Sequence, residues 1–154
     1  MPPINNVEDH WRPTIHFTAP ENWLNDPCGL IHRDGEFHLF YQYNPHGTSW
    51  GPMHWGHAAS DDLFRWKDLP PALYPNDDRG MAFTGSVVLD AKSSRLTALF
   101  TRALQRSDFT DTFQQQCLAT SQDGITWNEE GVVIPNPGLD DFRDPKVGWH
   151  AATG

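Results

Sequence analysis

The sequence predicts an all-β fold, a β-propeller of which about two and a half blades are present, and three observations carry that prediction. Turn formers are frequent, with 13 Pro and 12 Gly among 154 residues, and no stretch of about ten or more residues repeats its apolar positions at the helical period. A motif recurs at an offset of 61 residues: Ala58-x-Ser60-x-Asp62-x-x-x-Trp66 returns as Ala119-x-Ser121-x-Asp123-x-x-x-Trp127. A second series keeps step with it. Asn25-Asp26-Pro27 is echoed by Arg143-Asp144-Pro145, with Phe83-Thr84-Gly85 half-way, so gaps of 58 and 60 residues separate Asp26, Thr84 and Asp144. Alone, an Asp-Pro pair is turn punctuation. The shared period marks these three as the starts of equivalent inner strands in successive blades. Closure takes about 4–8 blades, so an exposed sheet edge is expected where the next blade belongs.

Residues 1–15 read as a leading arm, ahead of a partial propeller domain over 16–154. The first strand pair spans Gly29 to Tyr43: Leu30-Ile31 enters, Asp34-Gly35 turns, and Glu36 to Tyr41 resumes. Asp-Gly between two apolar runs signals a hairpin, because the favoured two-residue turn needs positive φ at both positions. Trp55 to Ala59 is a short strand. Ala82 to Leu89 and Leu96 to Arg102 form a second hairpin through Asp90 to Arg95. Gln115 to Thr120 precedes an Asp123-Gly124 turn, and Val132 to Ile134 ends the series.

Aromatic residues make up 12% of the chain, with seven Trp, and charged residues only 20%. That balance argues for a packed core rather than disorder. The net charge of −9 repels phosphate backbones and anionic membranes, so neither nucleic acid nor a membrane is an expected partner. A neutral small molecule such as a sugar is compatible with it. No apolar run reaches the ~20 residues that span a bilayer. Met1 to Trp11 is polar and lacks the apolar centre of a signal peptide. The chain as written therefore reads as cytoplasmic, or extracellular if a leader was removed. Cys28 and Cys117, 89 residues apart, do not make a disulfide framework. His54-x-x-His57 supplies two zinc ligands without a third, so no metal or cofactor is expected.

Equivalent inner strands of a propeller meet at one end of its central channel. Asp26, Thr84 and Asp144 are therefore expected to converge. The runs around them carry a resemblance. His16-Phe17-Thr18-Ala19-Pro20-Glu21-Asn22-Trp23-Leu24-Asn25-Asp26-Pro27-Cys28-Gly29-Leu30 resembles the N-terminal signature of glycoside hydrolase family 32, which holds invertases, inulinases, levanases and fructosyltransferases. Phe40-Tyr41-Gln42-Tyr43-Asn44-Pro45, His54-Trp55-Gly56-His57-Ala58, Phe83-Thr84-Gly85-Ser86 and Phe142-Arg143-Asp144-Pro145 continue it in order. The resemblance covers roughly residues 11–150.

It implies a five-bladed propeller and cleavage of terminal β-fructofuranosyl bonds, in sucrose or fructans, with retention. Two carboxyl groups about 5 Å apart then act as nucleophile and acid. Asp26 matches the nucleophile, ionised and pointing into a closed pocket shaped by Asn25 and Trp23. Asp144 matches the transition-state stabiliser, whose hydrogen bonds to fructose hydroxyls strengthen as oxocarbenium character grows. Arg143 is expected to pair with Asp144 and hold it charged. Gln42 matches a substrate-binding amide that both donates and accepts. Trp50 and Trp55 fit an apolar wall under the sugar ring, with core packing as the alternative, more so for Trp55. Phe83 and Thr84 match a Phe-Ser pair, the Thr keeping the hydroxyl.

Two departures stand out. Cys28 occupies a position where many members carry Asn, which assigns it either local hydrogen bonding or packing. The family's general acid, a Glu in a Glu-Cys motif downstream of Arg-Asp-Pro, has no counterpart: the glutamates are Glu8, Glu21, Glu36, Glu129 and Glu130, and none precedes a Cys. The resemblance thus leaves two main readings, a hydrolase acting through Asp26 or a non-catalytic fragment that binds fructosides. A fructosyltransferase is a further alternative.

Overall fold

The computed structural model describes residues 11–105, 112–148 and 150–153; residues 1–10 of the expected arm lie outside that set. Among the described residues there is no α-helix, and eight strands form two four-stranded antiparallel sheets. The first sheet holds β1 (Trp23–Arg33), β2 (Glu36–Asn44), β3 (His54–Ser60) and β4 (Lys67–Leu73). The second holds β5 (Met81–Leu89), β6 (Leu96–Gln105), β7 (Thr112–Ser121) and β8 (Asn128–Ile134). In both, spatial order follows chain order, which is the meander of a propeller blade.

The β1–β2 turn is the one the sequence predicts. Asp34 has φ 52° and Gly35 has φ 89°, and Arg33 pairs with Glu36. Asp tolerates the left-handed region better than most residues, and Gly enters it freely. β1 begins at Trp23, six residues before the expected start at Gly29. β4 is not expected from the sequence, because Lys67-Asp68-Leu69-Pro70-Pro71 has the composition of a loop. Its prolines are tolerated because β4 is the outer edge of its sheet, where missing N–H donors disrupt no ladder.

The recurring Ser-x-Asp motif builds the turn between the third and fourth strands of each sheet. Asp62 Oδ1 accepts the backbone N–H of Phe64 and Arg65, and Asp123 Oδ1 accepts those of Ile125 and Thr126. The Ser60 and Ser121 hydroxyls lie 3.2 and 3.0 Å from the same oxygens. Each closing Trp donates its indole N–H into the turn, Trp66 to Leu63 O and Trp127 to Gly124 O. The Thr126 and Ile125 N–H groups favour the ionised form of Asp123 and bring its carboxyl down to about 2.

Alternation along the strands sends one set of side chains between the sheets. Phe40, Trp55, Leu96 and Phe100 are buried there with Cys28, Val87 and Cys117. The Trp55 ring stands edge-on to Phe100 with centroids 5.9 Å apart, and Trp127 meets Phe40 edge-on at 5.4 Å. Such side chains contribute about 1.5–3 kcal/mol each when fully buried. The opposite set from the first sheet, Tyr41, Tyr43 and Ala58, is covered by Phe17 and Ala19. Both cysteines are free. His54 bonds the Pro52 carbonyl, while His57 lies against His38 and Phe40 inside the core.

Candidate active site

β1 and β5 open their respective sheets and lie against each other. Each carries a bulge near its start. In β1, Leu24 pairs with Tyr43 and Pro27 with Tyr41, so Asn25 and Asp26 together oppose Gln42. In β5, Phe83 pairs with Thr101 and Gly85 with Phe100, so Thr84 is the extra residue. A bulge kinks its strand and re-aims the extra side chain. Here the two bulges aim at each other, and the Thr84 hydroxyl donates to Asp26 Oδ2 at 2.9 Å. Gly85 makes the second bulge possible, since a Cβ there would sit 2.2 Å from the Leu99 carbonyl oxygen.

A third wall follows β8. Residues 142–148 are irregular chain, which corrects the expectation that Asp144 starts a strand equivalent to β1 and β5. Side chains of the second sheet hold this segment in place. Gln114 and Gln116 bond the backbone N–H and carbonyl of Phe142 at 2.8 and 2.7 Å. Thr101 Oγ1 accepts the Asp144 N–H at 3.2 Å. The Ser86 hydroxyl donates to Pro145 O and accepts the Val147 N–H. Backbone donors that a strand ladder would have satisfied are thus met by side chains. Asp144 itself sits at φ 61°, a left-handed conformation uncommon outside Gly, Asn and Asp.

Asn25, Asp26, Gln42, Trp50, Phe83, Thr84, Arg143 and Asp144 line one cavity of about 160 Å³. Of the expected site residues Trp23 and Trp55 are off its wall; the Trp23 indole donates to Asn25 Oδ1 at 2.8 Å. Hollows of about 320 and 250 Å³ lie beside Arg12 and beside Lys67, and neither contains an expected residue. The cavity is open rather than closed, with Asp26 exposed; among the described residues two sheets and one irregular segment flank it. Trp50 is half exposed and stands edge-on to Phe83 at 6.1 Å. Trp55 is fully buried, and its indole N–H donates to Phe83 O at 2.9 Å, so it is a core residue that supports the wall from behind.

Gln42 is buried, and its Nε2 donates to Ala82 O at 3.0 Å, tying the first sheet to the second. Arg143 does not pair with Asp144 as closely as the sequence suggests. Its guanidinium binds Asp141, and its Nε is 3.9 Å from Asp144 Oδ2. Burial pushes the Asp144 carboxyl up, Arg143 opposes this, and the Asp26 carboxylate adds to it. Half of the Asp144 side chain meets solvent, which screens all three effects. Asp141 is the site-adjacent residue that sequence reasoning missed; only its charge beside Arg143 could have suggested it.

Two carboxylates, two amides, a guanidinium, a hydroxyl and two aromatic rings around a small cavity suit a neutral polyhydroxylated ring. The family model of the Glycosyl hydrolases family 32 N-terminal domain matches residues 16–154. The chain belongs to glycoside hydrolase family 32. It is 47% identical to a levanase of Bacillus subtilis (strain 168), over 93% of this chain and 22% of the levanase. It is 46% identical to a sucrose-6-phosphate hydrolase of Zymomonas mobilis, over 92% of this chain and 28% of that protein. Among solved structures, the Bombyx mori GH32 beta-fructofuranosidase BmSUC1 superposes with a TM-score of 0.81 at 37% identity, covering 93% of this chain and 31% of that one. A fructofuranosidase from Schwanniomyces occidentalis complexed with fructose gives 0.81 at 36% identity, over 91% and 30% of the two chains. The chain spans less than a third of the length of each of these family 32 proteins.

Proposed function

We propose that residues 16–154, a partial family 32 propeller domain behind an arm over 1–15, form the nucleophile side of a β-fructofuranosidase active site. The substrate class is sucrose or fructans, and the reaction is retaining cleavage of a terminal β-D-fructofuranosyl bond. The observation that carries this reading is the convergence of Asp26 and Asp144, 118 residues apart in sequence, on one cavity with Thr84 bonded to Asp26. Thr84 holds Asp26 Oδ2 and leaves Oδ1 to attack the anomeric carbon. Asp144 accepts sugar hydroxyls, whose acidity rises as positive charge develops on the ring, so its bonds are strongest in the transition state. Gln42 orients a hydroxyl through its amide oxygen while Nε2 stays on Ala82 O. Trp50 and Phe83 cover the apolar face of the ring, and Trp23 fixes Asn25.

A second reading, fructoside binding without turnover, is favoured by one specific observation. No glutamate among the described residues lines the cavity. Glu129 is engaged by Arg102 and Arg79, and Glu130 accepts the Thr120 hydroxyl. Glu21 and Glu36 border the other two hollows. A general acid is worth about 10²–10⁴ in rate, so residues 11–153 alone supply attack and stabilisation without it. The test is an assay of the purified chain and its Asp26→Ala variant on sucrose and inulin, with fructose binding measured alongside. Turnover abolished by Asp26→Ala supports hydrolysis. Binding without turnover supports the second reading, and full turnover in Asp26→Ala overturns the assignment of Asp26.

A further inference from the structure

Cys28 lies between the two irregularities of β1. Regular pairing is interrupted between Leu24 and Pro27 and again between Cys28 and Ile31, so only Pro27–Tyr41 and Cys28–Phe40 pair in register around the site. So short a stretch of ladder leaves the Asn25–Asp26 bulge under-determined by backbone bonds alone. Side-chain links must complete it.

We propose that Cys28 is a positioning residue, whose thiol pins the Asn25–Asp26 bulge to the Gln42 amide and so sets where Asp26 points. Cys28 Sγ donates to the Asp26 carbonyl at 3.7 Å and accepts from Gln42 Nε2 at 3.6 Å. Gln42 Nε2 also donates to Ala82 O in β5, so the link joins the Asp26 backbone to both sheets. The thiol is 1% exposed and cannot swing away. Its neighbour Gly29 presses against β5 so closely that a Cβ would lie 2.4 Å from Val87 Cγ2. Burial raises the thiol to about 11, so it remains an S–H donor and brings no second negative charge next to Asp26. A hydroxyl has the same donor and acceptor inventory, whereas a methyl has neither. The inference rests on the reading of Asp26 proposed above.

The test compares the 154-residue chain with its Cys28→Ala and Cys28→Ser variants by nitrogen-15 NMR, with fructose as the titrated probe. Cys28→Ala is expected to shift the Gln42 side-chain amide and the Asp26 and Thr84 backbone resonances, and to weaken fructose binding about tenfold. Cys28→Ser is expected to restore both. Unshifted Gln42, Asp26 and Thr84 resonances in Cys28→Ala overturn the positioning role, and so does equal fructose affinity in all three proteins. No fructose binding by the wild type counts against the site reading instead, and the three sets of resonances then decide the role of Cys28. Should Cys28→Ala fail to fold, Cys28→Val replaces it, filling the site with apolar groups and no donor.

Discussion

The Thr84 hydroxyl donates to Asp26 Oδ2 at 2.9 Å across the junction of β1 and β5, and each residue sits on a bulge of its own strand. The bond fixes one carboxylate oxygen and leaves the other free. On the proposed reading, Thr84→Val keeps the shape and lowers kcat/KM for sucrose by about tenfold or more, the worth of a hydrogen bond to a charged group. Thr84→Ser retains most of the activity. Steady-state kinetics check both, and a Thr84→Val variant as active as the wild type would remove Thr84 from the site.

The period of about 60 residues made this convergence legible, because it reports which strand starts are equivalent in a propeller. Bulges were not legible. They depend on register between strands, and only Gly85 hints at one, through the space that its missing Cβ leaves. β4 was hidden because an edge strand tolerates Pro70 and Pro71, which normally argue against a strand. Trp55 carries the same aromatic signal as Trp50, and burial alone separates them: Trp55 is 0% exposed and Trp50 is 51%. The Asp-Pro at Asp144 matches Asp26-Pro27 and so suggests the start of a strand. Its segment is held by Gln114, Gln116, Thr101 and Ser86 instead, through long-range side-chain bonds that no local pattern encodes.

Gly29 is a point of close approach between the sheets. With φ 39° and a would-be Cβ 2.4 Å from Val87 Cγ2, Gly29→Ala combines backbone strain with overpacking. The expected cost is about 2–4 kcal/mol. Urea denaturation of the variant measures it. Gly35→Ala, where no atom lies within 4 Å, serves as the comparison and costs only its positive-φ strain.

Acid lowers stability in two windows. His57 is buried with Nε2 against His38 Nδ1 at 3.0 Å, and burial lowers its pKa from 6.5 to about 3. Between those values the unfolded chain binds the proton and the folded chain does not. His57 stability is therefore full above pH 6.5 and is lost as pH falls toward 3. Asp123, brought down from 3.8 to about 2, adds a second loss over that lower window. Denaturation from pH 7 to pH 4 is expected to show a loss of about 3 kcal/mol from His57. His57→Gln is expected to flatten the slope in that range. An equal slope in the variant assigns it to other groups.

Asp26 as nucleophile is tested most directly with a substrate that needs no proton donor. β-D-Fructofuranosyl fluoride expels fluoride unaided, so on the proposed reading attack by Asp26 forms a covalent fructosyl ester even without a general acid. No glutamate among the described residues lines the cavity to activate water, so on the proposed reading that ester breaks down slowly and accumulates. Mass spectrometry of the treated chain is predicted to find one fructosyl unit on the peptide containing Asp26, and none in Asp26→Asn. A label that persists in Asp26→Asn, or one carried by Asp144, would contradict the assignment.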